Sequence, residues 1–399
     1  MGSFWAFEYV ASFICLFVVV LLTLVYLRDR NKIHSTRLRA DSWTPTVTII
    51  IPAYNEAEYI AGCIKSVLAL DYPKDKLEII VVDDGSTDNT AAVARSFCKK
   101  NPHLKVWSKP NSGKADSMNQ AIARAKGELV ACLDADSYAS PYSLRRMLMH
   151  FDGDDVAAVA SAVKIRRARN IVEEVQRIEY FYYLFSRRIL NALNCVTVTP
   201  GPFSVFRREV MLKIGGFDRT SLVEDQEIAL RLQKMGYRIN SSLDTDIYTE
   251  IPHNFFELMK QRTRWQRGGF WNAMKYLDLI HPKYGDLGLI VLPFVVVGYM
   301  LFIGGLLVFA DSVLNRSPYE EMVGWQSFFL GLGPTQILVL IWFMFAFSWF
   351  IFGVRPMFKE EKIGLPSIVL FLFLSPIFSA IFWFSAAYTE IRTGGRFAW

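Results

Sequence analysis

Val47-Thr48-Ile49-Ile50-Ile51-Pro52-Ala53-Tyr54-Asn55-Glu56 decides the fold class. Val47–Ile51 is a short, β-branched apolar run, the pattern of a strand buried on both faces of a parallel sheet. Beyond it Ile60, Cys63, Ile64, Val67 and Leu68 fall on one face of a helix. Leu77–Val82 and Leu129–Leu133 repeat the strand pattern, so residues 44–250 alternate strand-like and helix-like segments. Such alternation predicts right-handed crossovers and a parallel sheet covered on both sides, an α/β domain.

Outside this domain the chain turns apolar. Tyr9–Leu27 carries no charge and is long enough to cross about 30 Å of hydrocarbon as a helix. Its head has no Lys or Arg and no small-residue cleavage pattern follows, which favours an anchor over a cleaved signal. Uncharged runs return at 287–310, 322–354 and 363–389. Gly331, Gly333 and Pro334 are expected to break the second of these, and Pro376 to kink or split the third. The expected organisation is an anchor and basic linker over 1–43, a catalytic domain over 44–283 and a membrane region over 284–399.

The 399 residues carry 44 Lys and Arg against 38 Asp and Glu, a surplus of +6. Arg28, Arg30, Lys32, Arg37 and Arg39 cluster directly after the first apolar run, which points to a membrane surface and away from nucleic acid. With Arg355–Lys362 they set these segments on the cytoplasmic side, and residues 311–321 outside. Four spans put the C-terminus outside; a split last span reverses it. Asn315-Arg316-Ser317 has sequon form, but Pro318 follows, and it is read as chance. Five scattered cysteines without metal-ligand spacing suit reduced thiols and a cytoplasmic catalytic portion.

In open parallel sheets ligands bind at the carboxyl ends of the strands. Here those ends are polar: Tyr54-Asn55-Glu56, Asp83-Asp84-Gly85-Ser86 and Asp134-Ala135-Asp136. No G-x-G-x-x-G follows the first strand, so the dinucleotide fingerprint of an oxidoreductase is missing. Asp134 and Asp136 flank one small residue, and in extended chain both carboxylates can face one Mg²⁺ or Mn²⁺. Asp83 and Asp84 have a bland rival reading as a turn leading into a helix over Thr87–Lys99. Lys114, between Gly113 and a helical stretch, is placed to meet phosphate, and an ordinary exposed lysine is the alternative. Glu224 and Asp225 open an amphipathic helix, where paired acids also simply complement the helix dipole. Gln261, Arg264 and Trp265 suit a diphosphate and a sugar face, or a membrane-interface belt.

Taken in order, these motifs resemble the processive branch of family 2 glycosyltransferases: cellulose, hyaluronan, chitin and poly-N-acetylglucosamine synthases. The resemblance covers residues 44–280. It rests on Tyr54-Asn55-Glu56, Asp83-Asp84-Gly85, Gly113-Lys114-Ala115, Asp134-Ala135-Asp136, Glu224-Asp225 and Gln261-x-x-Arg264-Trp265. It implies a GT-A fold facing the cytosol in a multi-pass plasma-membrane protein. Tyr54 with Asn55, Glu56 and one or both of Asp83 and Asp84 would hold the nucleoside, and Lys114 the diphosphate. Asp136 with Asp134 would hold Mg²⁺ or Mn²⁺ and the donor. Asp225, beside Glu224, would be the general base, and Gln261, Arg264 and Trp265 would bind diphosphate and acceptor. Pro200-Gly201-Pro202-Phe203 stands where relatives place an acceptor-contacting loop. In this family, helices like those at 170–190 and 270–280 lie on the membrane; for the first, a core helix is the rival reading.

The expected partners are a UDP- or GDP-sugar, a growing polysaccharide or lipid-linked glycan, the lipid bilayer and a second copy of the chain. Few spans give a narrow channel unless chains associate. Single transfer to a polyprenyl- or dolichyl-phosphate-linked acceptor stays open beside processive synthesis. So do a nucleotide-sugar hydrolase and a non-catalytic membrane scaffold or transporter.

Overall fold

The computed structural model describes residues 2–34, 42–315, 340–341, 344–354, 361 and 363–394. Helix α1 (Gly2–His34) comes first, then β1 (Val47–Ala53), α2 (Ile60–Leu68), β2 (Leu77–Asp83), α3 (Thr90–Ser96), β3 (Leu104–Ser108), α4 (Lys114–Arg124) and β4 (Leu129–Cys132). The chain continues through β5 (Ser137–Ala139), α5 (Ser143–Met149), β6 (Val156–Ala160), β7 (Val163–Ile165) and α6 (Ile171–Ala192). Next come β8 (Ser204–Arg207), α7 (Arg208–Lys213), α8 (Glu224–Lys234), β9 (Arg238–Ser241), β10 (Ile247–Thr249) and α9 (Phe255–Lys275). Two apolar helices follow, α10 (Leu292–Asn315) and α11 (Leu365–Thr393).

A seven-stranded sheet runs in the order β3-β2-β1-β4-β8-β6-β9, and a small sheet stands beside it in the order β5-β10-β7. Strands β1, β2, β3 and β4 are parallel, in register from Val47 against Leu77 and Leu129. Every residue of β1 is buried, so neither face tolerates a polar side chain without a partner. Ile49 and Ile51 pack under α2, while Ile50 joins Met118, Ala121 and Ile122 of α4 on the other face. Each fully buried Ile of this kind stabilises by about 1.5–3 kcal/mol. The second residue of β1, Thr48, is also buried, and its hydroxyl donates to Glu78 at 2.8 Å.

The expectation of a parallel sheet needs one correction. β8 runs antiparallel to both β4 and β6. Its chain arrives from the carboxyl edge, through the loop that follows α6, so it can enter the sheet only in the opposite direction. The helix expected over Thr87–Lys99 is shorter, with α3 followed by one 3-10 turn at Cys98–Lys100.

Tyr9–Arg28, Leu287–Leu307 and Leu365–Thr393 are long and apolar enough to cross a membrane. Much of the run at 322–354 lies outside the described residues, as do most of 355–362, the 316–321 loop and Arg396. Pro376 does not split the last run, since α11 is one helix across it. Large apolar side chains at 365, 369, 373, 377, 381, 384, 388 and 391 stay exposed along one side of α11. Its other side packs on the catalytic domain. Thr263 of α9 meets Ser385 at 2.8 Å, and Glu390 accepts from Arg267 at 2.7 Å and from Trp271 at 3.0 Å. On the neighbouring helix, Phe185 of α6 meets Tyr26 of α1 ring to ring at 5.2 Å. The helix bearing Gln261, Arg264 and Trp265 is thereby strapped to an apolar helix that follows it in sequence.

Candidate active site

The polar strand ends gather at the carboxyl edge of β1, β2 and β4. Asn55 turns with φ of 56°, and its side-chain oxygen accepts from Thr87 N at 2.8 Å, while its own N–H donates to Ser86 at 3.0 Å. Glu56 N donates to Thr90 at 2.8 Å, so the loops after β1 and β2 are laced together. Tyr54 is left exposed at the rim.

The two aspartates after β2 part company. Asp84 accepts from the backbone N–H groups of Ser112 at 3.0 Å and Gly113 at 2.9 Å, and also from Lys109. Through these bonds Asp84 shapes the loop that begins α4. Asp83 makes a turn bond from Ser86 N at 3.1 Å. Tyr54, Asn55, Glu56, Asp83 and Asp84 thus lie on adjoining loops after β1 and β2.

Lys114 opens α4 behind Gly113, whose φ of 91° gives the sharp entry. Its ammonium lies 2.5 Å from Asp134 and 3.3 Å from Glu224. One cation thus ties the end of β4 to the start of α8, where Asp225 stands. Burial works against the Lys114 charge, but Asp134 and Glu224 outweigh it and hold the ammonium above its ordinary range. Burial, then the neighbouring Glu224, push the Asp225 carboxyl up to about 6, even though Lys114 and Arg264 pull the other way.

Asp136 follows Asp134 two residues on. Burial and Asp134 raise it to about 6, and Ser137 donates to it at 3.0 Å. Glu56 rises to about 7 through burial, Asp136, Asp134 and Asp88. This corner has more negative charge than the protein neutralises, which suits a divalent cation. Among the described residues no three His, Cys, Asp or Glu side chains form a complete protein cage. Mg²⁺ and Mn²⁺ sites of this chemistry need only one or two carboxylates and take their other oxygens from phosphate and water. Asp136 with Asp134 fits that requirement.

The loop before β8 closes the other wall. A Cβ at Gly201 would stand 2.5 Å from Asp134 Oδ2 and 2.8 Å from Lys114 Nζ, so a side chain here would push those two side-chain ends aside. Gly201→Ala is expected to disturb the Lys114–Asp134 pair and lower kcat/KM about 10–100-fold with little change in Tm. Steady-state rates beside a melting curve check it.

Phe203 corrects the expectation of an acceptor contact. Its φ of 60° turns it inward, and it is fully buried in the core with Val205. Pro200, Gly201 and Pro202 are the residues of that loop that reach a cavity of about 340 Å³. Tyr180, Arg187, Asp225 and Trp265 line the same cavity. Trp265 is held flat by the Arg262 guanidinium at 4.0 Å, and Arg262 is buried against Glu179 at 2.6 Å. The Gln261 amide oxygen accepts from Arg262 at 2.8 Å, while Arg264 is exposed. Sequence reading missed Glu179 and Arg187, both on α6. The usable signal was charge embedded in α6, whose buried stripe is otherwise mostly apolar.

Cavity, charge pairing and strand-end loops thus meet at one edge of the α/β sheet, beside apolar helices. Residues 48–215 match the family model Glycosyl transferase family 2, and this segment of the chain is a family 2 glycosyltransferase domain. Poly-beta-1,6-N-acetyl-D-glucosamine synthase of Staphylococcus aureus strain COL is 32% identical over 241 residues, 57% of this chain and 57% of the relative. The Staphylococcus epidermidis protein of that name is 29% identical over 271 residues, 64% of this chain and 65% of its own length. The match therefore spans less than two thirds of these curated relatives. A solved mannosyltransferase from Pyrobaculum calidifontis, in complex with GDP-Man and Mn²⁺, superposes with a TM-score of 0.58 at 20% identity. The superposition covers 85% of this chain and 99% of that one, and it establishes the GT-A fold.

Proposed function

We propose that this chain is a membrane-anchored, inverting glycosyltransferase. It moves a hexose from a UDP- or GDP-sugar to a hydroxyl of a growing polysaccharide or a lipid-linked glycan at the cytoplasmic face. The observation that carries the reading is Lys114 bridging Asp134 and Glu224, which brings the donor-side acids and Asp225 into one cleft.

Tyr54 and Asp83 hold the nucleoside; Lys114 and Arg264 meet the diphosphate. Asp225 takes the acceptor proton as the hydroxyl oxygen attacks the anomeric carbon, because a free hydroxyl is too weak a nucleophile at neutral pH. Attack from the face opposite the diphosphate inverts the anomeric centre in one step. Trp265 offers an aromatic face to the acceptor sugar, with Gln261 behind it. A divalent cation at Asp136 and Asp134 would neutralise charge on the departing diphosphate.

The raised Asp225 carboxyl fixes the pH response. Protonated Asp225 cannot accept the acceptor proton, so kcat/KM is expected to fall tenfold per pH unit below about pH 6. A pH–rate profile at saturating donor checks it; a limb near pH 4 would place the base elsewhere. The same shift means that folding favours the protonated form, so this group's contribution to stability declines as pH rises through its folded pKa.

The test of the function is release of nucleoside diphosphate by purified full-length protein in lipid with Mn²⁺. UDP-N-acetylglucosamine and GDP-mannose come first, since the relatives and the structural neighbour are named for those sugars. Release that rises with acceptor supports transfer. Equal release without acceptor supports a hydrolase, and no release from any donor supports a scaffold. Product size separates processive from single addition.

A further inference from the structure

Arg187 is a cation the mechanism above leaves unused. It lies on α6, whose buried face of Val175, Ile178, Phe181, Phe185 and Ile189 packs among apolar side chains. The guanidinium borders the cavity that also holds Asp225 and Trp265. One N–H donates to Ser161 O at 2.8 Å. Among the described residues this is its one hydrogen bond, and it has no ion pair. Burial pulls its pKa down to about 10, with Asp225 acting against that fall. A half-buried guanidinium that borders a cavity and makes a single hydrogen bond is a poor structural strut and a good receptor for an anion.

The walls around it narrow the choice. Val163, Leu184, Leu190 and Val198 give the cavity an apolar side. Leu184 and Leu190 also pack in the cluster that includes Val25 of α1 and Phe371 of α11. The cavity is thus apolar toward the membrane helices and charged toward the base. A neutral sugar hydroxyl would answer the guanidinium weakly, whereas phosphate oxygens match its planar fork with two bonds.

We propose that Arg187 binds a phosphate carried by the acceptor, so that the preferred acceptor is a sugar joined through phosphate to an apolar chain. The inference rests on the glycosyltransferase reading and deepens it at the acceptor side. In the step itself the acceptor sugar's hydroxyl oxygen bonds to the anomeric carbon. Its proton passes to Asp225, and the anomeric carbon–oxygen bond breaks with its electron pair leaving on the nucleoside diphosphate. The acceptor phosphate is bound throughout and is not consumed.

Three acceptors with the same terminal sugar test this on the full chain in lipid nanodiscs: a decyl glycoside, the sugar linked to decyl phosphate, and the soluble sugar 1-phosphate. Wild type is expected to prefer decyl phosphate over the neutral glycoside by roughly 10–100-fold in kcat/KM. Arg187→Gln should bring that ratio near one, and Arg187→Lys should restore part of it. Equal use of the soluble phosphate overturns the apolar-chain half of the proposal and leaves only the phosphate contact. No preference in wild type overturns the proposal, as does Arg187→Gln lowering both acceptors alike, which is the signature of a packing role. If no acceptor and no donor yields nucleoside diphosphate, the glycosyltransferase reading itself fails, a result separate from lost discrimination.

Discussion

Asp225→Asn is expected to lower transfer about 10³-fold or more while the donor still binds. The substitution keeps the size of the side chain, and its amide oxygen can still accept from Gln226 N, as Asp225 does at 2.9 Å. The two bonds from Thr199 reach the backbone carbonyl of residue 225 and do not depend on the side chain. Folding should not suffer, because the carboxylate sits beside Glu224 in a half-buried place that disfavours its charge. The loss therefore falls on kcat, through the missing proton acceptor. Calorimetric titration with nucleotide sugar, a melting curve and product formation separate these effects. Retained turnover with unchanged donor affinity would remove Asp225 from the role of base.

How far the sequence reveals this site depends on where each partner lies. The strands were legible because buried parallel strands are short apolar runs, and β1, β2 and β4 match Val47–Ile51, Leu77–Val82 and Leu129–Leu133 within two residues. The order of acidic strand ends was legible for the same reason: each follows directly on a readable strand. Asp84 was not, since its partners Ser112 and Gly113 come from a loop about 30 residues away, and nothing local marks them. Phe203 was misread because loop position alone does not tell which way a side chain points, and a positive φ reversed it. β8 reads as any strand does; its direction is set by the route of the preceding chain. Arg187 was hidden by helix-face reasoning over 170–190, which scores apolar stripes and passes over single charges. Pro376 lies inside α11, two residues before Phe378, whose ring packs on Phe255 at 5.0 Å.

Lys114→Ala should have the second large effect, on rate and pH response together. It removes the one ammonium shared by Asp134 and Glu224 and leaves both carboxylates beside Asp225 with less compensation. The side chain is about a third open to solvent, so screening limits the stability loss to about 1–3 kcal/mol. Loss of charge facing the departing diphosphate should cost about 10²–10³ in kcat/KM. The sign of the pH effect follows from Coulomb's law. Lys114 pulls the Asp225 pKa down, so its removal raises that pKa and moves the acid limb to higher pH. Lys114→Arg keeps the charge and should hold the limb in place, yet its planar fork cannot reproduce a point contact with two carboxylates on separate elements, so it recovers only part of the rate. A rate loss in Lys114→Ala with an unmoved limb would mean that the lysine serves the donor alone, and the electrostatic link from β4 to the base would be wrong.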